Sequence, residues 1–175
     1  ENCLAAAPFM RGARVFDGER FLESHAVVIE GARIRDIVKT VPAGVEERRL
    51  TGGILAPGFI DVQVNGGGGA LLNEAPTAET VSRIAQAHRK HGTTGLLPTV
   101  ITDASSVLDA AIAAVTAARR NEPSVLGIHI EGPFLDVARK GAHAARFIRE
   151  IEQCDIEELA AYAAHMTVML TLAPN

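Results

Sequence analysis

What this sequence has little of narrows its chemistry before any motif is read. Two cysteines, Cys3 and Cys154, stand among 175 residues. They form no Cys-x-x-Cys spacing, which argues against a disulfide framework or a cysteine-built zinc site and suits a reducing cytoplasm. Aromatic residues make up 4% of the chain, and 17 basic residues are outnumbered by 21 acidic ones for a net charge of -4. Without a basic stripe or stacking platforms, a nucleic-acid partner is not expected. No apolar run is long enough to span a bilayer. The short apolar stretch in "ENCLAAAPFMRG" has no basic segment before it, so neither a secretion signal nor a membrane anchor is expected.

What is present is 47% hydrophobic residues, enough for a sizeable core in one ordinary domain or in part of something larger. Residues 1–9 read as an upstream extension or an appended remnant. From residue 10 to 53, short strand-like segments such as "GARVFDG", "SHAVVIEG" and "ARIRDIV" are punctuated by Asp-Gly, Glu-Gly and Pro-Ala-Gly turns, the pattern of a small β module. From residue 54 to 175 apolar strands alternate with helices. The helix "TAETVSRIAQAHRKHG" has Thr77 as its expected N-cap, Glu79 in its first turn and Gly92 as its stop. The order βαβαβαβ implies parallel strands, in a doubly wound sheet or a (β/α)8 TIM barrel. No Gly-x-Gly-x-x-Gly joins the first strand to its helix, which favours the barrel, with four of its strands present.

In either architecture chemistry gathers at the carboxyl ends of the strands. The first such end, in "APGFIDVQVNGGGG", offers Gln63 and Asn65, which plain alternation places on the side of Asp61. These amides suit a polar pocket and equally suit capping of loop backbone. The third, "LGIHIEGPFLD", delivers Glu131 to the mouth of the sheet, where a carboxylate can ligate a cation, act as a general base or pair with a neighbouring strand. His129 lies one pleat deeper, as a hydrogen-bonded core group or a support behind a ligand. The loop "KGAH", Lys140 to His143, lies above the same strand end and suits either polar recognition or a solvated turn. His88 and His91, near a helix C-terminus, are read as structural.

Taken in order, "GGILAPGFIDVQVNGGGG", "GTTGLLPTVIT", "GIHIEGPFL", "KGAH" and "TLAP" closely resemble the N-terminal part of N-acetylglucosamine-6-phosphate deacetylases of the amidohydrolase superfamily. The resemblance runs from about Gly12 to Pro174. It implies an α/β fold: a small β-sandwich portion over 10–53, then the first four strands of a (β/α)8 barrel over 54–175. It implies removal of the acetyl group from N-acetylglucosamine 6-phosphate by metal-assisted hydrolysis, with an Asp late in the barrel moving a proton to the departing amine.

Many amidohydrolases carry His-x-His where this chain has Gln63 and Asn65, so the resemblance implies a single divalent metal, zinc, rather than two. Glu131 matches the carboxylate that ligates it, and Ala142 with His143 match the loop that meets the sugar. Two histidine ligands and the catalytic Asp are expected beyond Asn175, so no catalytic residue is assigned within the chain and these residues alone are expected to be inactive. A related amino-sugar phosphate such as N-acetylgalactosamine 6-phosphate is the alternative substrate, and a non-catalytic truncated remnant the alternative outside enzymology. The expected setting is a cytoplasmic homo-oligomer, when full length, with no nucleic-acid or membrane partner.

Overall fold

A computed structural model describes residues 8–173. The chain divides into two compact units, one ending at Pro57 and the other starting at Gly58. Among its described residues the first unit contains seven short strands: β1 Phe9–Arg11, β2 Arg14–Phe16, β3 Phe21–Leu22, β4 Ala26–Glu30, β5 Arg33–Val38, β6 Glu47–Arg49 and β7 Ile54–Leu55. They form two sheets, ordered β5-β4-β1-β6 and β3-β2-β7. Phe9, Ala26 and Val28 make a small apolar core, with Val38, Val41 and Val45 against it. Sequence pattern joined Ile54 and Leu55 to the first barrel strand. They pair instead with Arg14 and Val15 of β2. The extended run ends at Pro57, whose nitrogen has no proton to give to a ladder.

The second unit alternates strand and helix. β8 (Phe59–Val64) leads through a short hairpin, β9 (Gly66–Gly67) and β10 (Ala70–Leu71), to α1 (Ala78–Arg89). Then follow β11 (Thr93–Ile101), α2 (Ser105–Ala118), β12 (Gly127–Glu131), α3 (Gln153–Ala163) and β13 (Thr167–Thr171). The Thr77 side chain accepts the Thr80 amide at the start of α1, as its N-cap position predicts. Gly92 follows α1 with φ +94°, a value that favours glycine. The sheet order is β13-β12-β11-β8, and every pairing in it is parallel. Its core joins strand residues Leu96, Val100, Ile128 and Ile130 to helix residues Val81, Ile84, Ala111 and Val115.

Parallel pairing places the carboxyl ends of all four strands at one edge. β11 is buried along nearly its whole length, as a strand covered on both faces must be. β8 and β13 stand at the two sides of the sheet, and Phe59, Ile60 and Val62 of β8 are exposed. No helix among the described residues is long and apolar enough to cross a membrane.

Candidate functional site

The carboxyl edge of the sheet gathers Glu131, His143, Thr102 and, beneath them, His129. Glu131 closes β12 and pairs with Ile101 and Thr171 of the flanking strands. The chain then turns at Gly132, φ +91°, where an added Cβ would collide with Thr102 Oγ1. Glycine therefore lets the Thr102 hydroxyl lie against the strand end. The Thr102 hydroxyl donates to the Glu131 carbonyl at 3.3 Å and lies 2.8 Å from Nδ1 of His143. The other ring nitrogen, Nε2, is 3.7 Å from Glu131 Oε1. A loop residue and a strand residue separated by twelve positions are thereby brought face to face, with side chains only 14% and 20% exposed.

Lys140 shapes this loop from within. Its Nζ donates to the carbonyls of Gly141 and His143, while the His143 amide donates to the Lys140 carbonyl. The "KGAH" segment is thus a closed turn that turns one imidazole inward, and Ala142 stays exposed.

His129 is 1% exposed and both its ring nitrogens meet threonines. Nε2 lies 2.8 Å from Thr171 Oγ1 and Nδ1 3.3 Å from Thr99 Oγ1. Burial pushes the imidazole below its ordinary pKa of 6.5, against the Glu131 carboxylate and the Val62 carbonyl, which push it up. It is a neutral, hydrogen-bonded group beneath the carboxylate.

The first strand end differs from plain alternation. Asp61 pairs with Leu96 and Val64 with Pro98, so β8 carries one extra residue across this shift. The irregularity sits opposite Pro98, which supplies no N–H, and the Val64 amide donates to the Thr99 hydroxyl. By register Asp61 therefore counts with Val64 on the helix-covered face. Gln63 and Asn65 fall on the opposite face, with Thr99, His129 and Glu131. Asp61 accepts the Gln63 amide at 3.1 Å and is a local backbone cap. His88 holds the Gly66 carbonyl of the glycine-rich hairpin at 3.0 Å, a structural contact.

Three groups that sequence pattern did not single out complete the arrangement. Thr102 links His143 to the Glu131 backbone, and Thr171 meets His129 from β13. Asn73 clamps the end of β11: its Oδ1 accepts the Ile101 amide and its Nδ2 donates to the Ile101 carbonyl and to Asp103. Threonine in a strand reads as β-propensity, so only position distinguishes these from packing residues.

As a metal site the donor set is partial. Among the described residues no group of three or more His, Cys, Asp or Glu side chains could hold an ion. Glu131 with His143 supplies two donors, fewer than the three protein ligands of a catalytic zinc.

An α/β protein with a carboxylate and an imidazole at the carboxyl edge of a parallel sheet belongs to the broad class whose reactions occur at strand ends. Residues 54–175 match the Amidohydrolase family and residues 10–55 match the NagA composite domain. The chain belongs to the amidohydrolase family. It is 43% identical to an N-acetylgalactosamine-6-phosphate deacetylase of Shewanella sp. (strain ANA-3), over 81% of this chain and 37% of that protein. It is 35% identical to an N-acetylglucosamine-6-phosphate deacetylase of Haemophilus influenzae, over 74% of this chain and 35% of the relative. The solved N-acetylglucosamine-6-phosphate deacetylase of Pasteurella multocida superposes with a TM-score of 0.87 at 32% identity, covering 95% of this chain and 44% of that one. The chain spans little more than a third of the length of these two curated relatives.

Proposed function

We propose that this chain is the N-terminal part of a metal-dependent deacetylase that converts N-acetylglucosamine 6-phosphate to glucosamine 6-phosphate and acetate. The observation that carries the reading is the meeting of Glu131 and His143 at the carboxyl edge of a parallel sheet, in a chain of the amidohydrolase family. In this reading β8, β11, β12 and β13 are the first four strands of a (β/α)8 barrel, and the first unit is part of a β-sandwich. Glu131 would hold one divalent ion, zinc, together with ligands from the remainder of the protein. Bound there, the ion would supply Lewis-acid polarisation of the amide carbonyl.

The chain's own residues then bind and orient. His143 and Ala142 meet the sugar, the first through a ring nitrogen facing the site and the second by leaving room beside it. Gln63 and Asn65 line the place where other amidohydrolases hold a second ion; as neutral amides they are weak donors to a transition metal. His129 braces the strand beneath Glu131. In this reading the protein works in the cytoplasm as a homo-oligomer without nucleic-acid or membrane partners; its few aromatics and acidic balance suit the lack of a nucleic-acid partner.

A second reading has its own support. The Shewanella relative, at 43% identity, is named for the galactosamine epimer. Acetate release from both amino-sugar phosphates by the full-length protein decides between them: the higher kcat/KM identifies the epimer, and release from neither overturns the reading. In the same protein Glu131→Gln is expected to lose most bound metal and about a hundredfold or more of the activity while remaining folded. Metal content equal to the parent's would remove Glu131 from the ligand set.

A further inference from the structure

Asn73 joins two parts of the carboxyl edge that lie 28 residues apart in the chain. Its Oδ1 accepts the Ile101 amide at 3.0 Å, and its Nδ2 donates to the Ile101 carbonyl at 3.1 Å and to Asp103 Oδ2 at 3.1 Å. A backbone N–H only gives and a carbonyl only accepts, so these partners fix which end of the amide is which. Aspartate at this position would lack both donors. β8 makes its last pairing with β11 at Pro98, and beyond it the Asn73 amide serves the Ile101 peptide as a neighbouring strand would.

The clamp has residues of the site on both of its sides. On the side of the first loop, the Leu72 amide donates to the Asn65 carbonyl at 3.0 Å and the Leu72 side chain is fully buried, so Asn73 is anchored next to the root of Asn65. On the other side Thr102, 4% exposed, lies between the two residues that Asn73 grips, and its Oγ1 is 2.8 Å from the His143 ring. Asp103 is occupied as well, with the Ala104 amide on Oδ1 at 2.8 Å and Asn73 on Oδ2.

We propose that Asn73 is a positioning residue for the amino-sugar phosphate: by locking the loop after β8 to the end of β11, it sets the spacing of Asn65 and Thr102, and through Thr102 that of His143, and keeps the Asp103 carboxylate on protein donors. A carboxylate released at this edge would repel an anionic phosphate ester. The role at the substrate rests on the deacetylase reading; the clamp does not.

The test uses the full-length protein. Asn73→Asp keeps the shape but turns the donor nitrogen into an acceptor facing both the Ile101 carbonyl and the Asp103 carboxylate. KM for the amino-sugar phosphate is expected to rise about tenfold, with kcat changed by less than about threefold, as loss of positioned hydrogen bonds away from the reacting atoms predicts. Adding Asp103→Asn sets an amide donor opposite the new carboxylate and should return KM to within about threefold of the parent. An unchanged KM in Asn73→Asp, a kcat loss as large as the KM rise, or a double variant no better than the single overturns the proposal. If Asn73→Asp fails to fold, Asp103→Asn alone decides: one of its two ends no longer accepts, so KM should rise about threefold, and an unchanged KM overturns the role. The clamp has a readout that needs no activity. With 15N-asparagine label, the Asn73 side-chain amide protons, assigned by their loss in Asn73→Asp, should exchange with deuterium at least about tenfold more slowly than those of free asparagine. Exchange as fast as in free asparagine overturns the clamp, and a parent protein with slow exchange but no acetate release counts against the deacetylase reading alone.

Discussion

At the scale of residues, side-chain chemistry decides what this carboxyl edge can hold. Gln63 and Asn65 stand on the face of the sheet that carries His129 and Glu131, so replacing both by histidine places stronger donors on that face. On the proposed reading of one ion per chain, the Gln63→His, Asn65→His double variant of the full-length protein is expected to raise bound metal toward two, read by elemental analysis. Metal staying at one ion would show that a second site lacks more than imidazoles. His129 carries a pH dependence. Its pKa is lowered in the fold, so below 6.5 the unfolded chain takes up a proton that the native ring refuses. Stability should therefore fall as pH drops below 6.5, by at most about 1.4 kcal/mol per pH unit from this group, and the decline should end below the folded pKa. Urea unfolding at pH 7.5 and 5.5 checks it, and His129→Asn should flatten the difference. Glu131 and His129 were both legible as residues worth watching. Their partners were not, because Thr102, Thr99 and Thr171 gain their meaning only from the strands that register brings alongside.

At the scale of elements, the turns after the strands do the positioning. Gly132 combines a positive φ with a contact that admits no Cβ, so Gly132→Ala should strain the backbone and push Thr102 aside. A loss of about 1–3 kcal/mol in urea unfolding is expected, together with weaker substrate binding; stability within about 0.5 kcal/mol of the parent would refute the close fit. Helix α1 was legible in detail, since Thr77, Glu79 and Gly92 carry local start and stop chemistry that needs no distant partner. The irregular register of β8 was not. A residue is gained opposite Pro98, and an alternating pattern contains no trace of the neighbour that causes it.

At the scale of the whole molecule, an apolar sheet side governs behaviour in solution. β8 exposes Phe59, Ile60 and Val62 at one side of the four-stranded sheet, and unpaired strand edges template association. The 175 residues expressed alone are expected to self-associate, and a charge on that strand, Val62→Lys, should reduce the association seen by light scattering. A parent chain scattering as a monomer would show that the edge is protected. By itself the sequence determined the alternation of strands and helices, their parallel order and the candidate status of Glu131, because periodicity, capping and turn chemistry are local. The tertiary structure alone decided that Ile54 and Leu55 pair with β2, that Asp61 leaves the face of Gln63 and Asn65, and that a buried hydroxyl joins His143 to the end of β12. Each of these depends on which strands become neighbours and in what register, a matter of packing between residues far apart in the chain.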